Sequence, residues 1–127
     1  MPIDAKLPYD DSNIFARILR GELPAKTVME TEHSLAFHDI NPLSPIHVLV
    51  IPKGAYVSWD DFAATASDAE IADFTRTIGK VAAAVGADAQ GYRLLSNIGK
   101  RGGQEVPHLH VHLFGGAPLR SMLAKKF

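Results

Sequence analysis

The chain has 127 residues, the length of one domain with one core, and 46% of them are hydrophobic against 21% charged, which excludes wholesale disorder. A net charge of −1 leaves no basic footprint for a nucleic acid. The absence of cysteine excludes disulfide scaffolds, cysteine-based zinc sites and thiol catalysis. The first thirteen residues are polar and unlike a signal peptide, and no later stretch is long enough to span a bilayer. The expectation is a cytoplasmic protein with no membrane and no nucleic-acid partner.

Residues 1–11 read as a flexible arm ahead of a single domain, 12–127. Asp11, Ser12 and Asn13 are N-cap candidates and Gly21 a helix stop; between them Ile14, Phe15, Ile18 and Leu19 recur at helical spacing. Strand character follows over 26–31 and 34–39, with Glu32 and His33 at a turn. After the loop Asn41-Pro42-Leu43-Ser44-Pro45, residues 46–51 are apolar on both faces except at His47, as in a central strand. Ser67 and Asp68 can cap a long helix running to about Val85, in which Ile71, Phe74, Ile78, Val81 and Val85 form one apolar stripe. Residues 92–98 read as a strand, 99–104 as a glycine-rich loop and 108–114 as the last strand. The order predicts an α+β domain with a mainly antiparallel sheet.

The chemistry is concentrated in that last strand. Alternate side chains share a strand face, so His108, His110 and His112 form one row, spanning about 13 Å, opposite Leu109, Val111 and Leu113. Three imidazoles on one face need partners for their nitrogens. Neutral imidazoles are zinc ligands, but residues i and i+4 of a strand lie too far apart to share an ion easily, so a third ligand would have to be His47. An imidazole is also a nucleophile toward phosphorus, and its neighbours can hydrogen-bond phosphate oxygens. The Gly99–Gln104 segment could add backbone N–H groups to the same anion, although it lacks the spacing of a Walker A loop.

The run Gly102-Gly103-Gln104-Glu105-Val106-Pro107-His108-Leu109-His110-Val111-His112-Leu113 resembles the histidine triad (HIT) signature. Ile14-Phe15, Pro24-Ala25-Lys26, residues 36–40, residues 47–53, Gly91-Tyr92-Arg93, Asn97 and Gly115-Gly116 continue the resemblance in order, toward the nucleotide-binding Hint branch, over about residues 12–124. The resemblance implies a five-stranded, mainly antiparallel sheet with one long and one short helix, extended across a homodimer. It implies hydrolysis of purine nucleoside phosphoramidates through a nucleotidyl-histidine; no cofactor is expected, and no metal either, since the chain lacks cysteine, the i to i+4 reach is awkward and no carboxylate is placed nearby in sequence. His110 would be the nucleophile, its other ring nitrogen bonded to the carbonyl of His108. His112 would hold phosphate and protonate the leaving amine, with His47 and His108 in support. Asp39 would take the ribose hydroxyls, with His38 beside it. Phe15, Ile18, Phe37, Ile40 and Leu49 would form the base pocket, and Asn97, Gly103, Gln104 and Val106 the surroundings of the phosphate. Glu105 departs from a serine found in some relatives near the leaving group, and the role of the tail from Leu119 to Phe127 is open. Dinucleoside polyphosphate hydrolysis, zinc-dependent hydrolysis and nucleotide binding with little turnover are the competing readings.

Overall fold

The computed structural model describes all 127 residues. Five strands form one antiparallel sheet: β1 (Thr27–Glu30), β2 (Ser34–His38), β3 (Ile46–Pro52), β4 (Arg93–Leu95) and β5 (Val111–Gly115), in the spatial order β1-β2-β3-β5-β4. β3 and β5 are the central pair. Helix α1 (Ile14–Leu19) precedes the sheet, while α2 (Trp59–Thr65) and α3 (Asp68–Ala84) lie between β3 and β4. No helix is long and apolar enough to cross a membrane.

The period-2 alternation of the strands divides the sheet into two unlike faces. Ala36, Val48, Val50, Val111 and Leu113 point to α3, where Phe74, Ile78, Val81 and Ala82 complete the main core. That burial is the principal stabilising term, about 1.5–3 kcal/mol for each large apolar side chain. The helix is placed by its own sequence: Ser67 and Glu70 form a capping box at its start, and Gly86, with φ of 77°, supplies the left-handed residue that ends it. Asp73 fixes α3 to the β1–β2 turn, accepting hydrogen bonds from Thr31 (2.7 Å), Ser34 (2.6 Å) and Thr77 (3.3 Å). The other sheet face carries Leu35, Phe37, Leu49 and Ile51, which pack with Phe15 of α1 as a smaller cluster. His47 and His112 share that second face, because Leu49 pairs with His112 and with Phe37 across the strands.

The expected set of one long and one short helix is too small. Helix α2 was not anticipated, although Ser58 and Asp61 form a capping box and Phe62 is its buried anchor. The glycine-rich loop is a single helical turn, α4 (Gly99–Gly102), closed by Gly103 at φ 78°. Both edges of the last β-pair are also shorter than expected. β5 begins at Val111, opposite Val50, where its pairing with β3 ends although β3 itself runs on to Pro52 beside β2, and Pro107 has no N–H to offer. Residues 108–110 therefore lie outside the ladder, with the Leu109 N–H donating to the carbonyl of Tyr56 at 2.8 Å. β4 stops at Leu95, its last partner being His112.

The segment read as a flexible arm has no helix or strand but is tied to the body along its length. The Ile3 N–H donates to the Gln104 carbonyl at 2.7 Å, and the Tyr9 hydroxyl meets His108 Nδ1 at 2.6 Å.

Candidate active site

Four imidazoles meet on the second face of the sheet, and their hydrogen bonds fix which nitrogen of each carries the proton. A carbonyl oxygen can only accept, so His110 Nδ1, 2.7 Å from the carbonyl of His108, holds a proton and Nε2 is left with a bare lone pair. His108 Nε2 lies 2.8 Å from the carbonyl of Pro52 and is likewise the N–H, so its Nδ1 accepts from the Tyr9 hydroxyl. On β3 the order is set from the loop: the Leu43 N–H donates to His47 Nδ1 at 3.1 Å. His47 Nε2 then carries the proton and donates to His112 Nδ1 at 2.9 Å, which leaves the proton of His112 on Nε2.

Two nitrogens have no partner inside the protein: the bare Nε2 of His110 and the N–H at His112 Nε2. No buried polar side-chain atom is unsatisfied, so both reach solvent. The ring centroids of these residues are 5.1 Å apart, and the Phe15 ring closes over His110 edge-on at 5.0 Å. A nucleophile and a hydrogen-bond donor therefore stand side by side.

Burial keeps the cluster uncharged. It pushes His108 down to about 4, with the His110 ring adding to the effect and the carbonyl of Pro52 opposing it. His112 is also pushed down to about 4, by burial first and then by His110 and His47, against the pull of Asp39. Burial lowers His110 and His47 as well, opposed in His110 by the carbonyl of His108 and in both by Asp39. All four rings are neutral at pH 7.

The other predicted residues divide into three groups. Phe15, Phe37 and Leu49 are buried together, with Ile18 and Val106 packed on their margin, and the Phe15 and Phe37 rings meet edge-to-face at 5.6 Å. Beside them Ile18 and Leu35 line a cleft of about 460 Å³ with Leu19, Leu23, Ala25 and Lys53. Asp39 joins the histidines: one carboxylate oxygen caps the Asn41 N–H at 2.8 Å, and the other lies 3.5 Å from His47 Nε2. Ile40 is 85% exposed, His38 and Glu105 are exposed, and Asn97 is half-buried.

Gln104 and the turn α4 differ from expectation. The Gln104 side chain is buried and spent on backbone: its amide donates to the carbonyls of Val57 (2.6 Å) and Val106 (3.1 Å), and its oxygen accepts from the Gly99 N–H (3.0 Å). The N–H groups of Gly103 and Gln104 bond back to the carbonyls of Lys100 and Gly99. Three donors expected to face an anion are engaged within the turn itself, because the segment is helical.

A carboxylate that sequence spacing did not place also matters for metals. Asp39, His47 and His112 bring three possible ligand atoms within 4.8 Å of one another, whereas the triad row itself does not converge on a point. The two histidines of this set are hydrogen-bonded to each other.

Four contributors escaped the sequence reading. Tyr9 stands 99 positions from His108, in an arm with no pattern. The Ser96 hydroxyl donates to the carbonyl of His110 at 2.9 Å. The carbonyl of Pro52 and the N–H of Leu43 are backbone groups with no signal in side-chain identity.

The neutral cluster carries a pH dependence of stability. Histidines that are depressed in the folded state bind fewer protons than in the unfolded chain, so stability rises with pH between the two values. The contribution is present above about 6.5, the ordinary histidine value, and is lost as pH falls toward about 4. Urea midpoints should drop over that interval, and His112→Asn should flatten the drop. An unchanged slope in the variant would contradict the assignment of His112 as a buried neutral ring.

A HIT domain model matches residues 20–119. The chain is 62% identical over 117 residues to an uncharacterised HIT-like protein of 13.2 kDa from Azospirillum brasilense, covering 92% of this chain and 96% of that one. It is 39% identical over 116 residues to the purine nucleoside phosphoramidase of Escherichia coli, covering 91% and 97%. Among solved structures, a HIT family hydrolase from Clostridium thermocellum superposes with a TM-score of 0.81 at 37% identity, covering 90% of this chain and 99% of the other. The row of histidines, the sheet that presents it and the extent of these matches agree: the chain belongs to the HIT family.

Proposed function

We propose that this HIT-family hydrolase cleaves the P–N bond of purine nucleoside phosphoramidates, releasing the nucleoside monophosphate and an amine. The observation that carries the reading is the bare His110 Nε2 next to the N–H at His112 Nε2, beside the apolar cluster of Phe15, Phe37 and Leu49. The name of the Escherichia coli relative supports the choice of substrate.

In this mechanism the leaving nitrogen takes its proton from solvent, His110 Nε2 attacks phosphorus, and the P–N bond breaks to release a neutral amine. The product of this step is a nucleotidyl-His110 that keeps its Nδ1 proton, still hydrogen-bonded to the carbonyl of His108. His112 donates a hydrogen bond to a phosphate oxygen as charge develops there. Burial, with His110 and His47, pushes His112 in the free protein down to about 4, so at neutral pH the ring meets the phosphate as a neutral hydrogen-bond donor. Water then attacks phosphorus, its proton leaves to solvent, and His110 departs neutral. Asp39 takes the 2′- and 3′-hydroxyls of the ribose. The base lies against Phe15, Ile18, Phe37 and Leu49, and Ile40, exposed in the free protein, closes over it.

Selectivity follows from charge. A polyphosphate leaving group requires cations near the attacked phosphorus, and the nearby basic residues in sequence, Lys100 and Arg101, are exposed on α4 with Glu105 following them. With adenosine 5′-phosphoramidate and a diadenosine polyphosphate measured side by side, kcat/KM should favour the phosphoramidate by at least about a hundredfold, roughly 2.7 kcal/mol. His110→Ala should keep the fold and lose activity by orders of magnitude. Near-normal turnover in that variant, or a preference for the polyphosphate, would sink the reading. The grouping of Asp39, His47 and His112 supports a second reading, a metal-dependent hydrolase. Activity lost to a chelator and restored by zinc would select it; activity unaffected by the chelator supports the first.

We also propose a homodimer formed across β4, one of the two edge strands of the sheet, where Leu94 is 46% exposed and the preceding Tyr92 39%. Light scattering at micromolar concentration should give twice the chain mass of 13.7 kDa. A single-chain mass would contradict it.

A further inference from the structure

The nucleophile stands on a stretch that the sheet does not hold. β5 starts at Val111, and Pro107 contributes no N–H, so residues 108–110 are located by bonds from elsewhere. Those bonds are few. The Leu109 N–H reaches the carbonyl of Tyr56, Ser96 holds the carbonyl of His110, and the His108 ring is fixed at both nitrogens. One of these two is the carbonyl of Pro52, and the other is the hydroxyl of Tyr9. The carbonyl of this same His108 receives the Nδ1 proton of His110.

We infer that Tyr9 is a positioning residue for His110, and that residues 3–9 form a strap that keeps it on His108. The inference rests on the reading of His110 as nucleophile. It requires only contacts within the free chain.

The donor is unambiguous. Because His108 Nε2 holds the proton given to Pro52, its Nδ1 is an acceptor, and the phenol must donate. Burial, followed by Asp11 and Asp10, raises the phenol above its ordinary range against the Asn13 side chain and Arg20, which favours the protonated donor. The Tyr9 ring meets the His108 ring edge-on, 5.6 Å between centroids, adding packing to the bond.

Both ends of the strap are anchored. On one side the Ile3 N–H bonds the carbonyl of Gln104, whose side chain holds α4 to Val57, and Lys6 stands 3.9 Å from Asp60. The exposed pair adds little energy, whereas the backbone bond fixes the path of the chain. On the other side Asp10 caps Ser12, and Asn13 caps α1, whose Phe15 ring lies 6.3 Å from His108 and 5.0 Å from His110. Tyr9 is thus held between a tether and a helix that both abut the histidines. Losing its hydroxyl would leave a buried acceptor at His108 Nδ1 without a partner and let the ring, and the carbonyl behind it, shift.

Full-length Tyr9→Phe is the test, since phenylalanine keeps the ring and removes only the donor. With adenosine 5′-phosphoramidate, kcat should fall roughly tenfold, as expected for slight misplacement of a reacting group, while KM stays within about a factor of two. Incorporation of 3-fluorotyrosine, which retains the donor, should restore the rate. Nitrogen NMR reads the same contact without any substrate. The His108 Nδ1 resonance should move toward that of an unbonded ring nitrogen in the variant, and the His110 Nδ1 proton should exchange faster with solvent. A wild-type kcat, or a loss expressed equally in kcat and KM, would overturn the proposal, as would unchanged ring signals for His108 and His110. Should the wild-type enzyme leave the phosphoramidate intact, the substrate reading fails, and the ring signals alone decide the role of Tyr9.

Discussion

The hydrogen bond from His110 Nδ1 to the carbonyl of His108 is the contact on which the chemistry of this protein depends. It makes one nitrogen of a neutral ring permanently a donor to the protein and so makes the other permanently a lone pair. Without it the two tautomers of a free imidazole would share the population, and the attacking nitrogen would be bare only part of the time. The bond is short in sequence, residue i to residue i−2, and it forms where residues 108–110 lie outside the ladder. A ladder partner would claim the carbonyl that the ring uses instead.

Everything around this contact serves to keep it neutral and in place. The sheet has one face for stability, packed on α3, and one for chemistry, where Phe15, Phe37 and Leu49 surround imidazoles with apolar surface. That surface is the reason His108 and His112 fall to about 4, and hence the reason the cluster tolerates four titratable rings close together without repulsion. The second chain of bonds, from Leu43 through His47 to His112, mirrors the first with the opposite outcome. It ends in an N–H where the other ends in a lone pair. The two chains converge from different strands, so the site requires the β3–β5 pairing that brings Leu49 opposite His112.

Much of this was legible in the sequence because it rests on periodicity. Alternation along residues 46–51 and 108–114 assigned His47 and the histidine row to faces, and the stripe from Ile71 to Val85 gave the covering helix. What failed to show was set by single backbone groups or by distant chain segments. The start of β5 at Val111 depends on where its pairing with β3 stops, opposite Val50, which no local pattern records. The turn at Gly99–Gly102 looked like an anion-binding loop because glycines permit many conformations, and the capping interactions of Gln104 selected a helical one. Helix α2 had a readable signal in Ser58 and Asp61, outweighed by the absence of a long apolar stripe. Tyr9 had none, since a polar arm gives no clue to what lies 99 positions away.

The central claim is that the bonding pattern gives His110 and His112 opposite tautomers in the resting protein. Nitrogen NMR of the ring atoms at neutral pH tests it most directly, because protonated and bare imidazole nitrogens resonate far apart. His110 is expected to show a proton on Nδ1 and a bare Nε2, with the reverse in His112. A His110 ring protonated at Nε2, or a positively charged ring at either position at pH 7, would contradict it.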